Sequence, residues 1–487
     1  MHLDGATGTK ISWGGINLYY SGSSTVANNT CSNNGDKGIG LYYSGSSMVA
    51  NNTCSNNGHN GILLYYSGSS MVENNTFTNC GLDISEDTID AYLSYTVENN
   101  WVNGKKLGFY TNLDSTIIVE PVYGQLILVN CTNVTVRDQI INNTSTGLFL
   151  YSCTYSVIIN NTLNNNRRGI SLSSSGSSTV ANNTCSNNGY KGIYLRYSGS
   201  STVANNTCSN NGYGIGLYYS SSSTVANNTC SNNDWEGISP VYSDHSTVAN
   251  NTCNNNWYGI LLYYSDFCVV TYSLLQENRY YGVYLRYDSD NNLIHHNTFV
   301  DNNLGGTSQA FDDCTNNFWY DTETLEGNYW SDWSGTGSYT INGYAGSIDL
   351  YPLDEPAVYL GPPVITDIIH SPSTPTELDT ISINATVTSP YGVQSVTFHY
   401  RVNCGIWIEV SMTLISGDLY SVIIGSFAVS DTIEYYISAI DDSINHHEAT
   451  EDNGGLFYSV AIDSSDTSGP SITSIVYSPP LSSIASL

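Results

Sequence analysis

A unit of 22 or 23 residues recurs along this chain, and no other feature restricts its fold as tightly. One copy runs from Gly192 to Gly212 and reads Gly-Ile-Tyr-Leu-Arg-Tyr-Ser-Gly-Ser-Ser-Thr-Val-Ala-Asn-Asn-Thr-Cys-Ser-Asn-Asn-Gly. Further copies start at Gly15, Gly38 and Gly61, and again at Gly147, Gly169, Gly214, Gly237, Gly259 and Gly282. A fixed short period marks a solenoid, in which each unit buries its apolar face against the next. Inside the unit Ile193 and Leu195 alternate with Tyr194 and Arg196, and Val203 and Cys208 follow across polar corners. Alternation with period two specifies short strands. No window keeps an apolar stripe of helical period, and Gly, Ser and Asn oppose helix. The expected fold class is therefore all-β: a parallel β-helix with three strands and three corners per coil.

In such a stack, equivalent residues lie about 4.8 Å apart. Asn206 and Asn211 then become rungs of asparagine ladders, with Asn29 and Asn34, Asn52 and Asn57, Asn183 and Asn188, and Asn228 and Asn233 as their equivalents. Amides bond up and down such a ladder and satisfy polar groups at a buried bend. Glycine at the unit start is read as supplying left-handed backbone angles. Cys31, Cys54, Cys185, Cys208, Cys230 and Cys253 share one slot with Phe77, Leu163 and Phe299, so the slot points inward and the thiols act as small hydrophobes. Asn28-Asn29-Thr30 and its copies fit an N-glycosylation sequon, whose first Asn faces solvent if the second is in the ladder; the structural need for Asn explains the pattern equally well.

The period lapses between Leu82 and Thr146. Ser115–Glu120, Gln125–Val129 and Asn133–Val136 still read as strands, and Asn103-Gly104 is a turn signal. This stretch is expected as irregular coils, with a loop carrying Asp83, Glu86, Asp87 and Asp90, inside one continuous solenoid from Gly15 to Leu353. A Trp-, Tyr- and acid-rich segment, 305–353, has no repeat and is placed as the cap over the last rung. The domain reading is a β-helix over 1–355, a linker over 356–363, a sandwich over 364–465 and a tail over 466–487. The sandwich rests on seven alternating runs separated by turn residues and is of the immunoglobulin or fibronectin type III kind. The tail starts Gly469-Pro470-Ser471-Ile472, much as the sandwich starts Gly361-Pro362-Pro363-Val364, and so reads as the beginning of a further module on a chain cut at both ends.

The coils with Gly-Ile-x-Leu and Asn-Asn-Thr resemble the right-handed parallel β-helix repeats of the NosD-type family, also called carbohydrate-binding/sugar-hydrolase domains. The segment Gly327-Asn328-Tyr329-Trp330-Ser331-Asp332-Trp333, followed by Ile341-Asn342-Gly343-Tyr344 and Ile348-Asp349-Leu350-Tyr351-Pro352-Leu353, resembles the way β-helices of this family end. The resemblance covers about Gly15–Leu353 and implies a right-handed helix. The family name implies copper delivery in the periplasm, and other members of the wider group are polysaccharide lyases and hydrolases. No motif here matches theirs, so no catalytic residue is carried over. A soft copper site needs Met, His and Cys together, and the chain has only four Met, with the pairs His295-His296 and His446-His447 far apart in sequence.

Charge narrows the partners. Twelve Lys and Arg stand against 42 Asp and Glu, a net charge of -30, which excludes a nucleic-acid backbone as partner. No run of about 18 apolar residues exists to span a membrane. The balance suits an extracellular or cell-surface setting. Two columns of tyrosine point to a polysaccharide or cell-surface glycan as partner: Tyr20, Tyr43, Tyr66, Tyr197, Tyr219, Tyr242, Tyr264 and Tyr287, and beside them Tyr19, Tyr42, Tyr65, Tyr218 and Tyr263, where Arg196 and Arg286 interrupt. Aromatic faces stack on sugar C–H faces and guanidinium donors meet hydroxyls, so Tyr218, Tyr263, Arg196 and Arg286 are the candidate carbohydrate-binding residues. Simple ladder packing of the tyrosines is the plainer alternative. Asp321, Glu323, Glu326 and Asp332 form a dense acid group and are the candidate metal ligands, with calcium as the ion; a solvated acidic cap is the plainer alternative, since their spacing does not match an EF-hand loop. The function expected is a non-catalytic surface or secreted protein, the β-helix serving as a stalk, adhesion or glycan-binding face. The alternatives are a carbohydrate-active enzyme of lyase or hydrolase type, marked by grouped acids or a Lys or Arg beside a groove, and a copper-related accessory protein, marked by a cluster of Met, His and Cys.

Overall fold

The computed structural model describes residues 2–4, 7–9, 15–357, 362–389, 392–425, 427–441 and 448–465; the tail 466–487 and the pair His446-His447 lie outside them. The chain divides into two compact units, Met1–Val358 and Tyr359–Leu487. The first is a right-handed β-helix. In the copy that begins at Gly192 the strands are Lys191–Arg196, Thr202–Ala204 and Thr207–Ser209. Each pairs in parallel with its equivalent one coil on: Ile193 opposite Ile215, Val203 opposite Val225, Cys208 opposite Cys230. These side chains fill the core, as do Ile39, Leu41, Val49 and Cys54. All the cysteines of the shared slot are buried and free, and burial pushes the Cys54 thiol well above its ordinary range.

The asparagine ladders are present at two corners. Nδ2 of Asn206 donates to Oδ1 of Asn228 at 3.0 Å and to the Val180 carbonyl at 2.9 Å. Its own Oδ1 accepts from the backbone N–H and from Nδ2 of Asn183, at 2.9 and 3.0 Å. Asn188, Asn211, Asn233 and Asn256 repeat this along the other corner. The left-handed backbone expected of the glycines falls elsewhere. Tyr197, Ser200, Asn205 and Asn210 hold φ of 50°, 57°, 56° and 56°. Gly192 is needed for close approach, because a Cβ there would stand 2.8 Å from the Gly214 carbonyl oxygen and 3.0 Å from Nδ2 of Asn211.

The coils form two stacks rather than the single uninterrupted one expected. The four coils of the first end on Leu82–Ser85, Thr96–Glu98 and Trp101–Val102. The chain then reverses at Asn103-Gly104, where both residues have positive φ, and Trp101 and Val102 pair antiparallel with Lys106 and Lys105. From Lys105–Thr111 onward the pairing is parallel again. The third-strand sheet of the first stack thus continues into the first-strand sheet of the second. The two interiors lie on opposite faces of this common wall. Along Tyr123–Val129, Leu126 and Leu128 enter the core of the second stack, while Ile127 and Val129 enter that of the first. Gln125, fully buried, clasps the last rung of the first stack: Oε1 accepts the Leu82 N–H at 2.9 Å and Nε2 donates to the Leu82 carbonyl at 2.6 Å. Ile89–Leu93 is a short helix capped by Thr88, and its Tyr92 ring lies 4.0 Å from that of Tyr151.

The second stack closes on aromatic residues. The inward slot runs Cys208, Cys230, Cys253, Leu275, Phe299, Trp330 in register, with Tyr339 stacked on Trp330 at 4.0 Å. Trp330 Nε1 donates to the buried Asp349 carboxylate at 2.9 Å, and Trp319 Nε1 to Asp312 at 3.1 Å.

The second unit is a β-sandwich of antiparallel sheets about a shared core. One sheet holds Val364–Ser371, Thr380–Thr388, Leu419–Gly425 and Thr413–Ser416; the other holds Val393–Val402, Ile408–Ser411, Thr432–Asp441, Glu448–Glu451 and Tyr458–Ala461. Ile408–Ser411 and Thr413–Ser416, nearly continuous in sequence, are two strands in different sheets, with buried Met412 between them.

Replacing Asn206 by Ala leaves the buried backbone N–H of Asn183 without its acceptor, at about 1–3 kcal/mol, while Nδ2 of Asn183 keeps the Ile158 and Ala181 carbonyls. Ser273 occupies the same ladder between Asn251 and Asn297. Asn206→Ser is therefore expected to lower the melting temperature less than Asn206→Ala, and equal losses would deny the ladder its role.

Candidate functional site

Outward side chains of the first-strand sheet in the second stack stand in three rows. A flank row runs Arg168, Lys191, Tyr213 and continues through Glu236 and Tyr258. The middle row runs Ser171, Tyr194, Gly216, Ser239. The other flank runs Ser173, Arg196, Tyr218, Val241, Tyr263, Arg286. All four expected carbohydrate-binding residues therefore lie in one register row.

The tyrosine column at the next corner behaves differently from a sugar-stacking surface. Tyr197, Tyr219, Tyr242, Tyr264 and Tyr287 stack on one another at centroid spacings of 5.2, 4.7, 4.8 and 5.6 Å. Their faces are occupied by each other, so the column offers edges and hydroxyls. Tyr218 stands perpendicular to Tyr219, at 84° and 4.6 Å, and Tyr263 to Tyr264, at 75° and 5.0 Å. Because Tyr219 and Tyr264 are sandwiched between their column neighbours, these contacts place their edges on one face of Tyr218 and Tyr263. The opposite face of each turns away from the column. Arg196 and Arg286 lie over the rings of Tyr197 and Tyr287, at 4.9 and 4.6 Å.

Arg196 also lines a cleft that the sequence reading missed. It lies between the two stacks, holds about 430 Å³, and is walled by Asp36, Asp83 and Glu86 on one side and by Arg167, Arg168 and Arg196 on the other. An adjoining space of about 630 Å³ shares His59 and Arg167 and is lined by asparagines, among them Asn143, Asn165 and Asn187. The only sequence signal was the adjacent pair Arg167-Arg168 in a chain poor in cations. Its partners on the first stack are separated from it by the irregular stretch, so nothing in the repeat showed the two walls meeting.

Beside the cleft, Lys191 sits among rings, 3.7 Å from the Tyr194 centroid and 5.5 and 5.4 Å from those of Tyr190 and Tyr213. Burial, with Arg168 nearby, draws its amine down to about 8. Burial raises the Glu236 carboxyl to about 7, against a partial offset from Lys191.

The expected metal ligands do not converge. Asp321 Oδ1 accepts the Glu323 N–H at 2.8 Å. Glu326 Oε2 meets Nε2 of His296 at 2.7 Å, and His296 Nδ1 meets Nδ1 of His295 at 2.6 Å. The Glu323 carboxylate joins none of these contacts, and Asp332 lies apart, accepting from Gln309 at 2.7 Å and Tyr339 at 3.1 Å. Among the described residues no group of three or more His, Cys, Asp or Glu is arranged to hold a metal ion. Among the same residues no helix is long and apolar enough to cross a membrane.

Residues 185–335 match the family described as periplasmic copper-binding protein (NosD), and residues 3–122 and 124–240 match the right handed beta helix region. Among solved structures, the chain is similar to the A-module of the Azotobacter vinelandii mannuronan C-5 epimerase AlgE4, at 14% identity over 61% of this chain and 87% of that one, with a TM-score of 0.34. It is similar to the periplasmic alginate epimerase AlgG at 14% identity, over 61% and 76%, with a TM-score of 0.38. It is similar to the Dettilon tailspike protein at 14% identity, over 92% and 84%, with a TM-score of 0.32. A comparison with curated proteins finds no match.

The Glu236 shift sets a pH dependence. Its folded value, about 7, lies above its ordinary 4.5, so the protonated form favours the fold. That stability is complete below about pH 4.5 and is lost as pH rises through about 7, a difference of about 3 kcal/mol. Glu236→Gln is expected to flatten this part of the stability profile in urea titrations at pH 4.5–8; an unchanged profile would place the carboxyl in water.

Proposed function

We propose that this protein, whose solenoid is a right-handed β-helix of the NosD type, is a non-catalytic extracellular or cell-surface protein that binds a glycan along the outward face of its second stack. The carrying observation is the row Arg196, Tyr218, Val241, Tyr263, Arg286, in which two tyrosines perpendicular to the column are flanked in register by guanidinium groups. An aromatic face turned from its own column suits the C–H face of a sugar ring, and the guanidinium N–H groups suit its hydroxyls. Repetition along the stack lets one polymer engage several weak sites at once. The β-helix holds these sites at a fixed pitch, and the sandwich serves as a spacer or adhesion module.

Among the described residues no group of three or more His, Cys, Asp or Glu gathers to hold copper. The cysteines of the helix are sealed in its core, and His296 is held by Glu326 and His295. An enzymatic reading of lyase or hydrolase type is favoured by one observation: Lys191 and Glu236, both pushed toward neutrality, share the flank row beside a cleft. Product analysis after incubation with acidic and neutral polysaccharides separates it from binding alone, since only an enzyme yields fragments that Glu236→Gln abolishes.

The binding reading is tested on a glycan array. The variant with Tyr218, Tyr263 and Arg286 all replaced by Ala is expected to lose binding tenfold or more while keeping its melting temperature. Full binding by that variant places the site elsewhere.

A further inference from the structure

We propose that the cleft between the two stacks is a receptor for the carboxylate of an acidic sugar, with Arg167 and Arg168 as its anion-binding pair. The inference rests on the glycan-binding reading and names the class of glycan.

The distribution of charge is the first support. The chain has 12 Lys and Arg, yet Arg167, Arg168 and Arg196 line one cleft and Lys191 stands beside it. In a protein of net charge -30, gathering like charges has to be offset by something specific. Burial and the neighbouring Arg168 both press the Arg167 guanidinium below its ordinary value.

Their hydrogen bonding is the second. Two arginines elsewhere take a carboxylate at bonding distance: Arg401 reaches Glu434 at 2.7 Å and Arg137 reaches Asp138 at 3.2 Å. Arg167 and Arg168 stand 3.6 and 3.8 Å from Oδ2 of Asp83, beyond hydrogen-bond range. Nε of Arg168 is buried without an acceptor among the described residues. An unmet buried donor on a charged group is costly. The pair is held instead by the Tyr190 ring, 5.9 Å from Arg167 and 5.5 Å from Arg168. Ring faces fix the guanidinium groups without consuming their N–H donors.

Shape and selectivity follow. Two adjacent guanidinium forks match the two oxygens of a carboxylate. The asparagine-lined space beside them supplies amides for ring hydroxyls, and Asp36 and Glu86 on the facing wall supply acceptors. Three arginines meet Asp36, Asp83 and Glu86 in this pocket, and the acid excess of the chain around it repels a densely charged phosphate polymer. Asp83 is the internal counter-anion that an incoming carboxylate displaces.

The test is calorimetric titration at low salt with hexuronate oligosaccharides, their neutral hexose counterparts and inorganic sulfate. The hexuronate is expected to bind, with Arg168→Gln weakening it tenfold or more and Asp83→Asn tightening it. The second variant keeps the test decisive if the first folds poorly. Neutral sugars or sulfate binding as tightly as the hexuronate overturns the assignment, as does a hexuronate indifferent to both variants. Glycan binding lost only in the Tyr218/Tyr263/Arg286 variant rejects the cleft and leaves the face. Hexuronate binding lost only in Arg168→Gln upholds the cleft and rejects the face.

Discussion

The structure depends on the short distance between successive coils. Backbones one rung apart approach so closely that polar groups turned inward at a corner have room for little besides the neighbouring coil. Asn206, Asn211 and their equivalents answer this with an amide that bonds upward, downward and to its own backbone. The same distance excludes a Cβ at Gly192 and at Gly214, where the carbonyl of Gly237 would lie 2.3 Å away. Asparagine, glycine and the small inward cysteine are three responses to one spacing.

That regularity is interrupted once, and the interruption is where chemistry collects. The reversal at Asn103-Gly104 places a second stack beside the first and lets one sheet serve both cores. An outward face of an isolated stack would be convex and open. Here the face near Arg168 and Arg196 looks onto another wall, which carries Asp36, Asp83 and Glu86. Opposed walls create a recess that neither stack has alone.

Much of the fold was legible because the repeat reports its own register. Ile193, Val203 and Cys208 showed the inward set, and Asn206 and Asn211 showed the ladders. The row Arg196, Tyr218, Tyr263, Arg286 was legible for the same reason, since equal offsets in sequence become neighbours in space. The direction of the rings was not: stacking within the column decides which faces remain, and that depends on side-chain torsions. The shared wall was hidden because Tyr123–Val129 reads as an ordinary buried strand whether one core or two lies against it. Glu448–Glu451 was missed because Glu-Ala-Thr-Glu carries no alternation, only a pairing with Ile437–Ile440. The acids from Asp321 to Asp332 were close in sequence, but their carboxylates take different partners: Asp321 the Glu323 N–H, Glu326 the His296 imidazole and Asp332 the Gln309 amide.

The clasp of Gln125 on Leu82 has a mechanical meaning. It joins the last rung of one stack to a strand that is itself part of the other, with apolar contacts on both sides. The recess therefore has no hinge: its width is set by a glutamine side chain and a shared sheet. A ligand would enter a space already at its final dimensions, losing none of its binding energy to closing a lid. Recognition of that kind sorts partners by fit at first contact, and its rate follows diffusion and charge rather than the tempo of a moving part.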